Sequence, residues 1–287
     1  MNQLKKNVRA SELAGRLGLE WRGADLAISC VQPLSAVQDG ALCFSKAELG
    51  KPLDAAAVVI GPGGEPGARS CLLISQVPRL DFARALNLLS ETPGFVGYPG
   101  APQIHPTAWI GEFVSMGRGV VIGAHTRIHP HVTIGGGVRI GERCVIKSGT
   151  VIGQDGFGFE RDAQGRPVRL VHLGTTIIGD DVELGSLNTV CRGTLADTIV
   201  EDHVKTDDHV HIAHNCMIRT CALITACVEL SGGVEVGAYA WIGPNSSVIQ
   251  KVKIGERAFV GIGANVTKDV EIGMVVAGNP AMPLRPV

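Results

Sequence analysis

Aromatic residues are scarce in this chain: 3 Trp, 2 Tyr and 7 Phe make up 4% of 287 residues. Charge of either sign is not in excess. The formal net charge is −1, which leaves no whole-chain electrostatic footprint for nucleic acid or an anionic membrane. No apolar run follows the basic start at Lys5, Lys6 and Arg9, so no signal peptide is expected, and no stretch of membrane-spanning length is free of polar residues. A cytoplasmic protein without membrane insertion is the expectation. The eight cysteines include no CxxC pair. Cys216, Cys221 and Cys227 come closest to a cluster, but their spacing fits no common zinc knuckle, so they read as reduced core or surface residues. No Gly-X-Y period runs through the chain, which excludes collagen even though glycine is abundant at 38 residues. That glycine must serve another repeat with tight corners.

The repeat begins at Ile104. Aliphatic residues recur every six positions through Ile110, Met116, Ile122, Ile128, Ile134, Ile140, Ile146 and Ile152. Glycine follows directly at Gly111, Gly117, Gly123, Gly135, Gly141 and Gly153. The register resumes at Ile178, Leu184 and Val190, and again from Val200 to Ile272, broken only where Thr206 takes an aliphatic place. A period of six fits neither a helix nor simple strand alternation. It fits a prism-shaped coil with three short strands per turn, each sending one large aliphatic inward. Small residues at the fourth place after it (Ala108, Ala240, Ser246, Ala264) suit a second inward position. The glycine after the aliphatic is expected to adopt the angles of a corner. The fold class is therefore mainly β, a parallel β-helix of hexapeptide repeats. An evenly spaced sandwich would not hold phase for so long.

Residues 1–103 lack the period and read as a small α/β domain with a linker. Ser11–Leu17 looks like a helix start, Ala55–Ile60 and Cys71–Ile74 like buried strands, and Asp81–Leu89 carries a helical apolar stripe. The linker Thr92–Pro102 is rich in Pro and Gly. The helix itself is placed at 104–273 and a C-terminal tail at 274–287. Two interruptions stand out: an inserted loop at 154–177 and a smaller break at Arg192-Gly193-Thr194-Leu195. Insertions in solenoids often build the binding face.

These features together resemble the N-acyltransferase family of lipid A synthesis, which acts on UDP-3-O-(3-hydroxyacyl)glucosamine. The resemblance covers nearly the whole chain. It rests on the front domain, the coils, the loop Gln154-Asp155-Gly156-Phe157-Gly158-Phe159, the segment Arg192–Thr198 and, above all, His211-Ile212-Ala213-His214-Asn215. It implies a left-handed coil, a homotrimer, and His214 as general base. It also implies that the front domain meets a nucleotide base, with Phe44 as the first aromatic of a pair. The expected Asn and second aromatic just downstream of Phe44 are missing. A second functional His of the family is matched by Lys251, and the family's C-terminal helices, associated with acyl carrier protein, are absent from this sequence. The stretches Ile262–Val270 and Val276–Pro280 are instead similar to coenzyme A-dependent hexapeptide acetyltransferases. These departures suggest a relative that acylates another nucleotide-linked amino sugar from acetyl-CoA or another short acyl-CoA, for surface polysaccharide. No permanently bound cofactor or metal is expected.

The chemistry needs a base near neutral pKa, because a protonated sugar amine is not a nucleophile. Histidine meets that need. Asp207 or Asp208 would hold the imidazole in one tautomer, with Asp207 preferred from the family's pattern. A backbone N–H at a glycine corner, one candidate lying in the next coil, would receive the oxyanion. Asp155, Phe157 and Asn215 are candidate acceptor contacts. Gly263, Ala264, Lys268 and Arg285 are candidate contacts for coenzyme A. Cys216 is not required as a nucleophile.

Three other readings remain open. One is the lipid A enzyme itself, with a 3-hydroxyacyl-acyl carrier protein donor. One is a zinc hydratase of the γ-carbonic anhydrase kind, since His209 and His214 have the spacing of two zinc ligands and His172 or His203 is available as a third. The last is a non-catalytic scaffold.

Overall fold

Residues 2–286 are described by a computed structural model, in which the chain divides into two compact units. The first holds the chain up to Gly97 together with Gly158–Leu173 and Thr194–Ala196. The second holds Tyr98–Phe157, Gly174–Gly193 and the chain from Asp197 on.

The first unit is a mixed sheet with strand order β1-β3-β4-β5-β6-β2, formed by β1 (Gln3–Arg9), β2 (Glu20–Gly23), β3 (Ala27–Val31), β4 (Ala41–Phe44), β5 (Val58–Gly61) and β6 (Cys71–Ile74). Strands β3 to β6 run parallel, and β1 and β2 close the edges antiparallel. The inner strands read as unbroken apolar runs because both their faces are covered. Leu42, Val58, Ile60 and Leu73 point toward helices α1 (Ala10–Leu17) and α2 (Pro78–Glu91), meeting Leu13, Phe82, Leu86 and Leu89. Cys43, Val59 and Leu72 point the other way, onto Leu34, Val37, Leu49 and Leu53. Pro78 stands in the first turn of α2, where its missing N–H costs nothing. The excursion Gly158–Leu173 belongs to this unit rather than to the coil that emits it. It is a hairpin of Phe159–Arg161 and Pro167–Arg169, with the Asn87 amide of α2 donating to the Arg169 carbonyl at 2.8 Å.

The second unit is a left-handed parallel β-helix with three faces. The first face stacks Ile104, Ile122, Ile140, Ile178, Val200, Ile218, Val236 and Ile254 in register. Each register step is 18 residues, three hexapeptides, with two exceptions. Ile140 to Ile178 spans 38, an insertion of 20, and Ile178 to Val200 spans 22, an insertion of 4. From Ile122 to Val266 the inward residues, and the small residues Ala240, Ser246 and Ala264, are almost wholly buried, whereas at the N-terminal end of the coil Ile104 is 42% exposed and Ala108, Ile110 and Met116 are only partly buried.

Two expectations are corrected. Except at Gly153, with φ 81°, the glycine after the inward aliphatic is not the left-handed corner residue. The left-handed backbone falls two places later, at Phe113, His125, His131, Arg143, His203, His209 and Asn215 among others. The glycine is needed because the coils touch there: a Cβ at Gly117 would lie 2.4 Å from the Gly136 nitrogen, and one at Gly135 would lie 2.3 Å from the Gly153 oxygen. Secondly, Ile272 is not in the column. It is 76% exposed, and Val270 pairs over Ile254 while Val276 stacks on Val260. The coil therefore runs past 273: Met274–Ala277 adds a parallel strand to the second face and Met282–Pro286 returns antiparallel to it. At the other end the first strand starts at Gln103. Thr206 does occupy a place in the column, where it belongs to a buried network. Its Oγ1 receives the Asn188 side-chain amide at 2.5 Å and the Gly185 N–H at 3.2 Å, and Asn188 Oδ1 accepts the Val210 N–H at 2.7 Å.

Candidate active site

Both insertions leave the coil at one corner, between the third face and the first. The longer lies between Val151–Gln154 and Thr176–Ile178, the shorter between Thr189–Cys191 and Thr198–Val200. In the following coil the same corner, between His211–Ile212 and Met217–Ile218, carries His214. Arg192 anchors the shorter break inside the second unit. It is buried, and its guanidinium donates to the Gly136 carbonyl at 2.8 Å and to the Tyr98 hydroxyl at 3.3 Å. Asp197 closes the same segment by accepting the Thr175 N–H at 2.7 Å.

His214 is half-buried, with its imidazole against the next coil. An added Cβ at Gly232 would stand 2.7 Å from Cε1 and 2.8 Å from Nε2. The Gly233 N–H is already spent on the His214 carbonyl at 2.9 Å. Nδ1 lies 3.0 Å from Asn215 Oδ1. Asn215 has φ 62° and donates its backbone N–H to Thr198 Oγ1 at 2.8 Å. An amide oxygen on Nδ1 requires the proton there, which leaves the lone pair on Nε2. An imidazole with a fixed tautomer results.

Asp207 is not that partner within the chain. It sits on the preceding corner, between the second and third faces, and its carboxylate accepts the Asp208 N–H at 2.8 Å. Its neighbour Asp208 accepts the Ser186 N–H at 2.6 Å. Because each side of the coil is six residues long, Asp207 and Asp208, seven and six residues before His214, lie one corner away from it. His209 shares the corner of Asp207, so the spacing of four residues to His214 does not bring two rings together. Among the described residues no group of three or more His, Cys, Asp or Glu converges to hold a metal ion.

His211 faces outward in the strand that leads to His214. Its Nδ1 lies 2.6 Å from Thr189 Oγ1, and Glu229 is its register partner in the next coil. Burial lowers its pKa; the Glu229 carboxylate opposes this and His214 adds to it. The signal available in sequence was the 18-residue step that aligns His211 with Glu229. Cys216, two residues beyond His214, points into the core with its Sγ 3.3 Å from the Ser231 carbonyl oxygen, and burial pushes its thiol up to about 12.

The remaining candidates are dispersed. Phe44, at the end of β4, packs on Phe82 with ring centroids 4.8 Å apart, so one face is already taken. It leads into Lys46, which lines a cleft of about 330 Å³ in the first unit with Val77–Leu80, Glu160 and Arg161. Arg79 there is paired to Glu160 at 2.6 Å. Asp155 is exposed, near enough to Cys191 to help raise its thiol pKa, and Phe157 is 89% exposed. Gly263 lies on an open corner with φ 64°. Ala264 faces the coil interior, which leaves only its backbone for a ligand. Lys268 is exposed beyond the next strand, and Arg285 is exposed on the returning strand opposite Val275.

A hexapeptide coil with an ordered histidine at its interrupted corner defines an acyltransferase of the hexapeptide class. The bacterial transferase hexapeptide (six repeats) family matches residues 101–136 and 119–154. Among curated proteins, the UDP-3-O-acylglucosamine N-acyltransferase of Herminiimonas arsenicoxydans is 30% identical over 307 residues, covering 92% of this chain and 86% of the relative. The chain belongs to that N-acyltransferase family. The enzymes of the same name from Janthinobacterium sp. (strain Marseille) and Coxiella burnetii are 38% identical, but the matches span 44% and 54% of those proteins. Solved structures similar to it include the UDP-N-acetylglucosamine O-acyltransferase of Moraxella catarrhalis (26% identity, TM-score 0.60, 66% of this chain and 72% of that one). Another is the UDP-N-acetylglucosamine acyltransferase of Francisella novicida (27%, TM-score 0.57, 66% and 68%). No helix among the described residues is long and apolar enough to cross a membrane.

Proposed function

We infer that this chain moves an acyl group from a thioester to the amine of a nucleotide-activated amino sugar, with His214 as the general base. The observation that carries the reading is the imidazole at the interrupted corner, set on Gly232 and held through Nδ1 by Asn215. The unprotonated Nε2 takes a proton from the attacking amine, and the tetrahedral intermediate collapses as the thiolate leaves and receives that proton. The Gly232 N–H is the proposed oxyanion donor, one coil on from the base. The relatives' printed acceptor, a UDP-linked acylglucosamine, makes a UDP-amino sugar the first choice. The cleft beside Lys46, Arg79 and Arg161 supports a nucleotide phosphate in the first unit. A homotrimer, with the His214 corner opening on a neighbouring copy, completes the proposal.

The donor has two readings. Acetyl-CoA or another short acyl-CoA is favoured by the third face, whose outward residues Thr189, His211, Glu229 and Ser247 present no apolar track beside the base. An acyl carrier protein thioester is favoured by the family match and by Ile177, Ile199 and Met217, an apolar ladder on the first face.

The test is turnover of UDP- and dTDP-amino sugars with acetyl-CoA or with 3-hydroxyacyl carrier protein, using His214→Ala as control. Amide formation lost in the variant supports the reading, and the productive thioester names the donor. Turnover that survives in His214→Ala overturns the assigned base. A monomer in sedimentation removes the shared cleft.

A further inference from the structure

The similar proteins include both N- and O-acyltransferases, so a base on a hexapeptide corner serves either acceptor, and something beside the base must choose. The third face offers a candidate. Thr189, His211 and Glu229 face outward in successive coils, about 4.8 Å apart. The Glu229 carboxylate accepts the Ser231 hydroxyl, with oxygen distances of 3.1 and 3.3 Å. Ser231 directly precedes Gly232, on which the ring of His214 rests. Glu229 is the register partner of His211 and is tied to Ser231, the residue before the glycine under the His214 ring, so its carboxylate and the imidazole stand at the two ends of the segment Glu229–Gly232.

An amine and a hydroxyl differ in the protons on the attacking atom. A neutral amine has two N–H groups and one lone pair. For the lone pair to aim at the thioester carbon, both N–H groups need acceptors placed away from it. His214 Nε2 is one. We propose that the Glu229 carboxylate is the second, and that it selects an amine over a hydroxyl acceptor. A hydroxyl has a single proton to give, so its remaining lone pair would face the carboxylate. The step balances without a charge on Glu229 changing: the C–N bond forms, the C–S bond breaks, and one N–H proton passes through His214 to the thiolate. The other N–H stays on Glu229 and remains in the amide product. This inference rests on the amine-acylation reading above.

The experiment compares the amino sugar with the same nucleotide sugar carrying a hydroxyl in place of the amine, in the full chain and in Glu229→Leu and Glu229→Gln. Glu229→Leu is expected to lower kcat/KM for the amine about 30-fold, the range for one hydrogen bond to a charged group. The hydroxyl compound should lose nothing, so the amine preference collapses. Glu229→Gln, which keeps a carbonyl acceptor of the same shape, should recover most of the amine activity. Thermal melting of each variant identifies misfolding, and Glu229→Ala, which also removes the acceptor, takes the place of the Leu variant where that one is misfolded. An unchanged amine preference in Glu229→Leu, or an equal loss on both acceptors, overturns the assignment of Glu229 while amide formation by the unmodified chain still stands. An unmodified chain that acylates no amine overturns the functional reading and this inference with it.

Discussion

The ring of His214 rests on Gly232 so closely that a Cβ at 232 would stand 2.7 Å from Cε1 and 2.8 Å from Nε2. A Cβ atom does not come that close to a non-bonded neighbour, so any side chain at 232 must displace the imidazole. Gly232→Ala is expected to reduce kcat about 100-fold through misplacement of the base by a fraction of an ångström. The melting temperature should change little, because the corner is only half-buried. Steady-state kinetics beside a thermal melt checks both.

Asn215 does two jobs that substitution can separate. It adopts φ 62° at the corner, a conformation asparagine tolerates, and its Oδ1 holds the His214 tautomer. Asn215→Gly keeps the backbone freedom and removes the tautomer control. Asn215→Ala removes both. Each is expected to lose about 10- to 100-fold in kcat, a part of what general base catalysis contributes. Only the Ala variant should also lose about 1 kcal/mol of stability, from a left-handed non-glycine residue without a compensating side chain. Denaturant unfolding of the pair distinguishes the two effects.

Thr206 stands in an aliphatic column because Asn188 in the preceding coil needs an acceptor. Thr206→Val restores the hydrophobic pattern yet orphans the Asn188 amide and the Gly185 N–H. The expected cost is about 1–3 kcal/mol, the penalty for buried polar groups left without partners. Asn188→Val combined with Thr206→Val should recover part of it, since both partners then become apolar. A double-mutant cycle by urea unfolding measures the coupling.

His211 is expected to make the fold sensitive to acid. Burial holds its pKa below the ordinary imidazole value, with Glu229 opposing and His214 reinforcing that shift. As pH falls through about 6.5, the unfolded chain takes up a proton that the folded chain resists. The unfolded state then binds more protons, so stability declines across that window and is retained above it. Replacing His211 by Gln, which can still bond Thr189, is expected to flatten the fall in melting temperature between about pH 7.5 and about pH 5.5. An unchanged slope would show that His211 does not contribute.

The coil was legible because a six-residue period is a local property. Each aliphatic at Ile122, Ile140 or Ile218 obeys the same steric rule as the last, and parallel stacking needs nothing beyond the repeat. The candidate base was legible for a different reason: His214 sits in a short distinctive stretch. Its partner was not. Asp207 and Asn215 are both near His214 in the chain, and only the side length of the prism shows that the first lies a corner away while the second touches Nδ1. The glycine rule was misread on similar grounds, since a residue's conformation and its distance to the next coil leave the same mark in sequence.

Sequence alone determined the architecture of the second unit, the places where it is interrupted, and the histidine most suited to the chemistry, because periodicity and residue type encode which side chains turn inward and which can accept a proton. Only the tertiary structure decided that both insertions and His214 share one corner, that Gly158–Leu173 folds with the first unit, and that Glu229 and His211 stand beside the base. Those relationships join residues of different coils or of different segments, as Glu229 is the register partner of His211 one coil away, and they are set by how coils stack rather than by any pattern within one of them.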